Sequence, residues 1–441
     1  MYARCMELAA KRELLRELAL AVLADLAPGR LIAAQCRRVG GELHVDDRAW
    51  PLDRPILVLA YGKAAVPMAR AMEPLLHGAG PLALIVSAPE RFLAPGQNPA
   101  PWGAVQSFVG GHPEPNEASV AAAHAMLAAV AAAPGGSLIV HLVSGGGSAL
   151  LEAPLRAELS AADLRAAYGA LVRNGAPIHE INALRKHLSA VKGGRLAAAA
   201  PASADQLSLI LSDVPGGDLS SVASGPSLPD PSTVADCRAM LAAHPTPLPP
   251  AIARLLAHLP ETPKPGDPAF ARSAWHLLLD DRGAAARLAA RARDAGCVPT
   301  LDHAADEWDY RAAAAYLVGR IRELKRDQPR ACLIAAGEVR VALNGPAGRG
   351  GRNQMFALEC ARLIAGEPLC VLSLGTDGID GDSPAAGALV DGTTCARAAA
   401  RGLDPARALA RFDAYPLLAA LRDSIEIGRT GTNLRDLRIL M

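Results

Sequence analysis

Apolar positions along this chain alternate between two rhythms. Short unbroken aliphatic runs at residues 55–60, 82–87, 138–143, 207–211, 275–279, 297–301, 331–336 and 369–374 predict buried strands. Between them, apolar residues return at helical spacing over 7–26, 64–72, 161–172, 181–197, 251–259, 281–295, 310–325 and 355–365, and an alanine-rich helix follows residue 117. A second extended run, 339–343, follows Gly337-Glu338. Strands alternating with helices predict an α/β fold with mostly parallel sheets. A chain of 441 residues exceeds one ordinary core, and eight prolines between Pro245 and Pro268 mark a change of composition. The expected division is an N-terminal Rossmann-like domain over 1–244, a proline-rich linker over 245–272, and a C-terminal α/β domain over 273–441. The charged amphipathic helix at 7–26 is expected to pack on the first domain.

The stretch 138–151, LIVHLVSGGGSALL, concentrates the candidate chemistry. A buried strand runs into Ser144-Gly145-Gly146-Gly147-Ser148, where glycine backbone can close on a ligand and a following helix start offers unpaired N–H groups. That arrangement suits an anion such as phosphate, and it equally suits close packing. Neither a G-x-G-x-x-G nor a G-x-x-x-x-G-K-[ST] fingerprint is present, so the usual nucleotide folds lose weight. G-x-S-x-G is absent as well, which leaves the serines without a nucleophile's setting.

Composition narrows the field. A formal net charge of +1 without a basic block argues against nucleic acid or an acidic membrane as partner. Eight cysteines without C-x-x-C spacing read as reduced, mostly buried thiols in a cytoplasmic protein. The apolar run at 118–133 is too short and too weakly apolar to span a bilayer. Lysine is scarce, six against 39 arginines, yet Lys63, Lys186 and Lys192 fall in motif-like segments, and a compact ammonium suits phosphate.

Polar residues gather where predicted strands end: Lys63, the glycine loop, Asp213, Glu338, and Asp377 with Asp380. Open α/β sheets bind ligands at the carboxyl ends of their strands. Donors, cations and carboxylates together make the inventory of phosphoryl transfer, with Arg349 and Arg352 adding guanidinium groups. Bland readings stand beside these. Asp213 could cap the turn at Pro215-Gly216, Asp377 and Asp380 could serve magnesium, a base or the turn itself, and His141 reads as a hydrogen-bonded core residue.

Taken in order, AYGKAA at 60–65, GGHPEPNEAS, HLVSGGGSALL, INALRKHLSAVKGGRLA, LSDVPGGDLSSVASGPSLPDPST, GRGGRNQ, GTDGIDG and RTGTNLRDLRI resemble the glycerate 2-kinases, built from a glycerate-kinase N-terminal domain and a MOFRL domain. The resemblance covers nearly the whole chain. It implies ATP-dependent phosphorylation of D-glycerate at its 2-hydroxyl, with Mg2+, in a cleft between two α/β domains. Lys63 and Arg352 match the family's lysine and arginine and would clamp the phosphoryl group or the glycerate carboxylate. Ser144 to Ser148 would cradle the ATP phosphates, with Lys192 assigned to the same task. Asp213 and Asp377 are the leading candidates for magnesium or for orienting the hydroxyl, with Asp380 a further metal candidate and Asp213 assigned to the catalytic set as well. A homo-oligomer stays open. The chain departs from the family pattern at Asn116, at Ala336 and around Pro384. Two alternatives are a nicotinamide-dependent hydroxypyruvate reductase, a name some relatives carry, and a catalytically weakened ligand-binding relative.

Overall fold

The computed structural model describes residues 2–93, 101–343 and 345–441, with side chains from residue 8 onward. The chain forms two compact units, residues 28–278 and residues 1–27 with 279–441.

The unit 28–278 is organised on a six-stranded sheet. Its strands lie in the order Ala104–Val109, Leu82–Ala88, Ile56–Tyr61, Leu138–Ser144, Asp205–Leu211 and Ser273–Leu279. The first five are parallel. Ile56–Tyr61 and Leu138–Ser144 are buried at every position, as a strand covered by helices on both faces requires. The chain winds outward one way from Ile56–Tyr61 and the other way from Leu138–Ser144. These two neighbours therefore mark the point where the strand order reverses, and ligands in open sheets bind there. A second core within the unit is helical, formed by Ala161–Arg173, Ile178–Leu188, Val234–Ala243 and Pro250–Leu256 around Leu171, Leu184, Cys237 and Ile252.

The segment expected to be a linker is built into this unit. Ile252 is fully buried, Asp230 N–H donates to Pro263 O at 2.9 Å, and Thr262 Oγ1 donates to Asp230 at 2.8 Å. Prolines lack a donor to satisfy, so a proline-rich chain can lie against a protein surface as readily as in solvent. The helix expected over 181–197 ends at Leu188, where Ser189 turns extended and bridges Pro154, and a short helix resumes at Arg195–Ala198 after Gly193 and Gly194 at positive φ.

Buried within the sheet, His141 Nε2 contacts Gln206 Oε1 at 3.1 Å while Gln206 Nε2 donates to Ala197 O. The glutamine oxygen must accept, so His141 is the Nε2–H tautomer, a core histidine as expected. Burial depresses its pKa to about 4. A depressed base is neutral in the fold while the unfolded chain protonates near pH 6.5, so stability is lost as pH falls from about 6.5 toward 4, by roughly 3 kcal/mol. The stability difference between wild type and His141→Gln should be flat above pH 7 and shrink by that amount toward pH 4 in urea titrations. A difference that does not change with pH would contradict a neutral buried imidazole.

The other unit has a mixed sheet, in the order Val298–Leu301, Ala331–Ala336, Asp436–Leu440, Cys370–Gly375, Gly387–Asp391 and Ser424–Ile425. Only its first pair is parallel, which corrects the expectation of mostly parallel strands for this half. Asp436–Leu440 occupies the centre beside Ala331–Ala336, so the run 339–343 finds no sheet position. It contributes one isolated bridge, Arg340 to Asp309. The N-terminal helix Tyr2–Asp25 belongs here, not with the sheet that follows it in sequence. Leu15 is fully buried, and Arg12 donates to Asp391 and Asp423, both at 2.7 Å. Amphipathic spacing announces a buried face and says nothing about which partner covers it.

The seven described cysteines are free thiols, five of them buried; Cys5 lies outside the described side chains. Among the described residues no helix is long and apolar enough to cross a membrane.

Candidate functional site

In the unit 28–278, the reversal point of the sheet carries a compact polar cluster. Lys63 follows Ile56–Tyr61 and its N–H donates to Gly145 O at 2.9 Å, while Ala64 N–H donates to Ser144 Oγ at 3.0 Å. The two strand ends are stitched together by these bonds. Gly62, at φ +120°, lies where a Cβ would sit 2.2 Å from Ser144 Oγ, so no larger residue fits. A Cβ on Gly145 would lie 1.9 Å from Asp213 Oδ2, and one on Gly146 would lie 3.0 Å from the His112 ring and 3.1 Å from Lys63 Cγ. The missing side chains of the loop are thus the space into which Lys63, Asp213 and His112 converge. The structure brings together three features separated by some 150 residues of sequence, as strand-end placement predicts.

His112 is the member that residue patterns did not single out. Its segment, GGHPEPNEAS, is one of the runs that carry the family resemblance. Asn116 there caps the helix Glu117–Ala131, accepting from Ser119 N at 2.9 Å, so asparagine serves the same cap that an aspartate would.

Other expected contributors are held differently. The helix after the loop, Gly147–Leu150, is a single turn, so its dipole adds little. Ser144 Oγ is buried as the acceptor from Ala64, and Ser148 Oγ bonds Ser224 Oγ at 2.8 Å. Lys192 is 1% exposed and ion-paired with the equally buried Glu152. Burial pulls its pKa down and Glu152 opposes that shift, which makes it a core counterion in this structure instead of an open phosphate ligand. Lys186 is likewise buried against Asp230 at 3.1 Å and Ser220 at 3.3 Å. Of the three noted lysines, Lys63 alone lies at the glycine loop.

The second unit has its own polar cluster, also at strand ends. Asp436–Leu440 runs antiparallel to both neighbours, so its first residue, Asp436, lies at their carboxyl ends, opposite Gly375 and one step from Ala336. There Arg352, the first residue of the helix Arg352–Leu363, donates to Asp436 through Nε at 2.7 Å and Nη2 at 3.0 Å, and to Glu338 at 2.7 Å. These carboxylates raise the Arg352 pKa against the opposing effect of burial, the largest single cause. Asp377 accepts from Ile379 N–H at 3.2 Å, a local turn bond, and its Oδ1 lies near Gly375.

Asp380 is placed as a helix cap. Its carboxylate accepts from the N–H groups of Asn353 at 3.1 Å and Gln354 at 2.9 Å, and from Gln354 Nε2 at 3.0 Å. Burial pushes its carboxyl up to about 6 despite those donors. With both oxygens engaged it does not fit a metal ligand. Arg349 is exposed and stacks 4.8 Å from the Tyr415 ring centroid. No group of three or more His, Cys, Asp or Glu side chains that could hold a metal ion occurs among the described residues.

A doubly wound unit with a glycine loop, lysine and carboxylate at its reversal point, joined in one chain to a mixed-sheet unit with an arginine–carboxylate cluster, defines an α/β enzyme of the ligand-at-strand-ends kind. The family described as "Domain of unknown function (DUF4147)" matches residues 14–257, and the MOFRL family matches 331–436. A D-glycerate 2-kinase of Thermotoga maritima is 35% identical over 394 residues, 88% of this chain and 90% of its own. A putative hydroxypyruvate reductase of Agrobacterium vitis is 36% identical over 392 residues, 87% of this chain and 86% of its own. The crystal structure of a glycerate kinase from Thermotoga maritima superposes with a TM-score of 0.83 at 30% identity, covering 98% of this chain and 99% of that one. The chain belongs to the glycerate 2-kinase family.

Proposed function

We propose that the protein transfers the γ-phosphoryl group of ATP to the 2-hydroxyl of D-glycerate. The observation that carries this reading is the convergence of Lys63, Asp213 and the glycine loop at the reversal point of the sheet, in a chain whose kinase relative matches it nearly end to end. Phosphoryl transfer asks little covalent chemistry of a protein and much positioning of charge. In the reading, loop N–H groups and the Lys63 ammonium hold the ATP phosphates and offset charge that builds on the transferring group. Arg352, with Nε and Nη2 held by Asp436 and Glu338, turns its Nη1 edge to glycerate's carboxylate or the phosphoryl oxygens.

Magnesium usually takes one or two protein carboxylates, with phosphate oxygens and water completing its shell. Asp213, poised against Gly145, fits that demand better than the capping Asp380, and Asp377 is a separate candidate within the other unit. When bound, the ion would neutralise phosphate charge; Asp213 would otherwise orient the acceptor hydroxyl.

The reductase reading rests on the name of the Agrobacterium vitis relative. The glycine loop of this chain lacks the third glycine of a dinucleotide fingerprint, Leu150 standing in its place. Two assays on one preparation separate the readings: ADP release that requires D-glycerate, and NADH or NADPH oxidation that requires hydroxypyruvate. The kinase reading expects the first signal alone. Nicotinamide oxidation without ADP release would replace it.

A further inference from the structure

Arg352 is oddly placed for a cation. It opens the helix Arg352–Leu363, at the end where the backbone dipole makes the local potential positive, although Asp380 caps the N–H groups of Asn353 and Gln354. Its position there is held by a built scaffold. Asp436 is fully buried and binds Arg352 in a two-pronged fork, Oδ2 to Nε and Oδ1 to Nη2. Behind it stands Arg438, two residues on and hence on the same face of the strand, donating to Asp436 Oδ2 at 3.1 Å and to Gly337 O at 2.9 Å. Its guanidinium lies 5.0 Å from the Phe356 ring centroid, on the helix that Arg352 begins. A fully buried arginine in a central strand is costly unless it is paired. Phe356, Gly337 and Asp436 hold it in one orientation. Among the described residues Arg352 Nη1 takes no protein acceptor, although Nε and Nη2 both do.

We propose that Asp436, braced by Arg438, is a positioning residue that fixes the plane of the Arg352 guanidinium and leaves its Nη1 edge to an anionic ligand. The proposal deepens the kinase reading and rests on it for the ligand, a carboxylate or phosphoryl group. A bidentate carboxylate sets the guanidinium plane as a single bond cannot. Asparagine at position 436 keeps the shape and loses that fork, since its amide presents N–H groups to N–H groups.

Steady-state kinetics with ATP and D-glycerate test this. Asp436→Asn should lower kcat by about 100-fold, the scale of a misplaced catalytic group, with KM for ATP unchanged, and it should also lower Tm because buried Arg438 loses its carboxylate partner. In an Arg352→Ala background the same substitution should cost less than about 3-fold, because residues acting as one unit are not additive. Full additivity of the two losses would overturn the proposal. Should Asp436→Asn fail to fold, Asp436→Glu keeps the charge, displaces the fork and should show the same split between kcat and KM. A second readout does not depend on turnover: the Arg352 Nε–H signal in 15N-arginine-labelled protein should be protected from exchange in wild type and lost in the Asp436 variant. Its persistence would overturn the positioning role. Absence of any glycerate-dependent turnover in wild type would sink the kinase reading, with the exchange measurement still deciding the role of Asp436.

Discussion

Replacing Lys63 by alanine should lower kcat for glycerate-dependent ADP release by ~100-fold or more, the usual loss when one preorganised charge on a transition state is removed. The effect should fall on kcat more than on KM for D-glycerate, because Lys63 is assigned to the phosphates. Lys63→Arg should restore little. Lys63 Cγ already lies 3.1 Å from where a Gly146 Cβ would be, so the site accommodates a slender stem ending in a point charge, and a planar fork has a different shape and different contacts. Turnover close to wild type in either variant would remove Lys63 from the mechanism.

Asp230→Ala should destabilise the unit 28–278 by about 3–5 kcal/mol, the range for removing one partner of a buried ion pair. Asp230 is fully buried and accepts from Lys186, Thr262 and Ser232, so its loss strands a buried ammonium and releases the proline-rich segment. The double variant Lys186→Met/Asp230→Leu should recover much of that loss, since apolar side chains of similar size replace buried pairs at low cost. Three of the four tryptophans, Trp50, Trp102 and Trp275, lie in this unit. In a Trp308→Phe background, fluorescence-monitored urea unfolding therefore reports on it alone. An Asp230→Ala midpoint equal to wild type would show that the pair does not hold the segment.

Much of the fold is legible in the residue pattern because the buried parallel strands advertise themselves. Leu138–Ser144 and Ile56–Tyr61 are aliphatic runs ended by glycine, and their strand-end residues do converge. Asp436–Leu440 was hidden by the same logic. Its sequence, DLRIL, alternates charge with aliphatic side chains and mimics a half-exposed strand, whereas all five residues are buried and the charges pair with one another. The run 339–343 takes no sheet position because Asp436–Leu440 pairs with Ala331–Ala336, and no local signal marks Asp436 as a strand-end residue. The proline-rich segment misled for a related reason: composition marks where helices and strands stop, and tertiary partners such as Asp230 decide whether the chain then packs.

Lys192 and Asp380 teach a different point. Both stand in motif segments beside glycines, and nothing local distinguishes a charge offered to a ligand from one consumed by Glu152 or by a helix N-terminus. Only the spatial partner separates them. Lys63 and Asp213 were recoverable because glycine backbone on either side leaves their chemistry space to act.

The bond formed to glycerate is the decisive observable for kinase activity. Purified protein incubated with ATP, Mg2+ and D-glycerate, with the product resolved by 31P NMR, should give ADP and 2-phosphoglycerate in equal amounts. A product carrying phosphate on the 3-hydroxyl, or no phosphorylated glycerate at all, would contradict it.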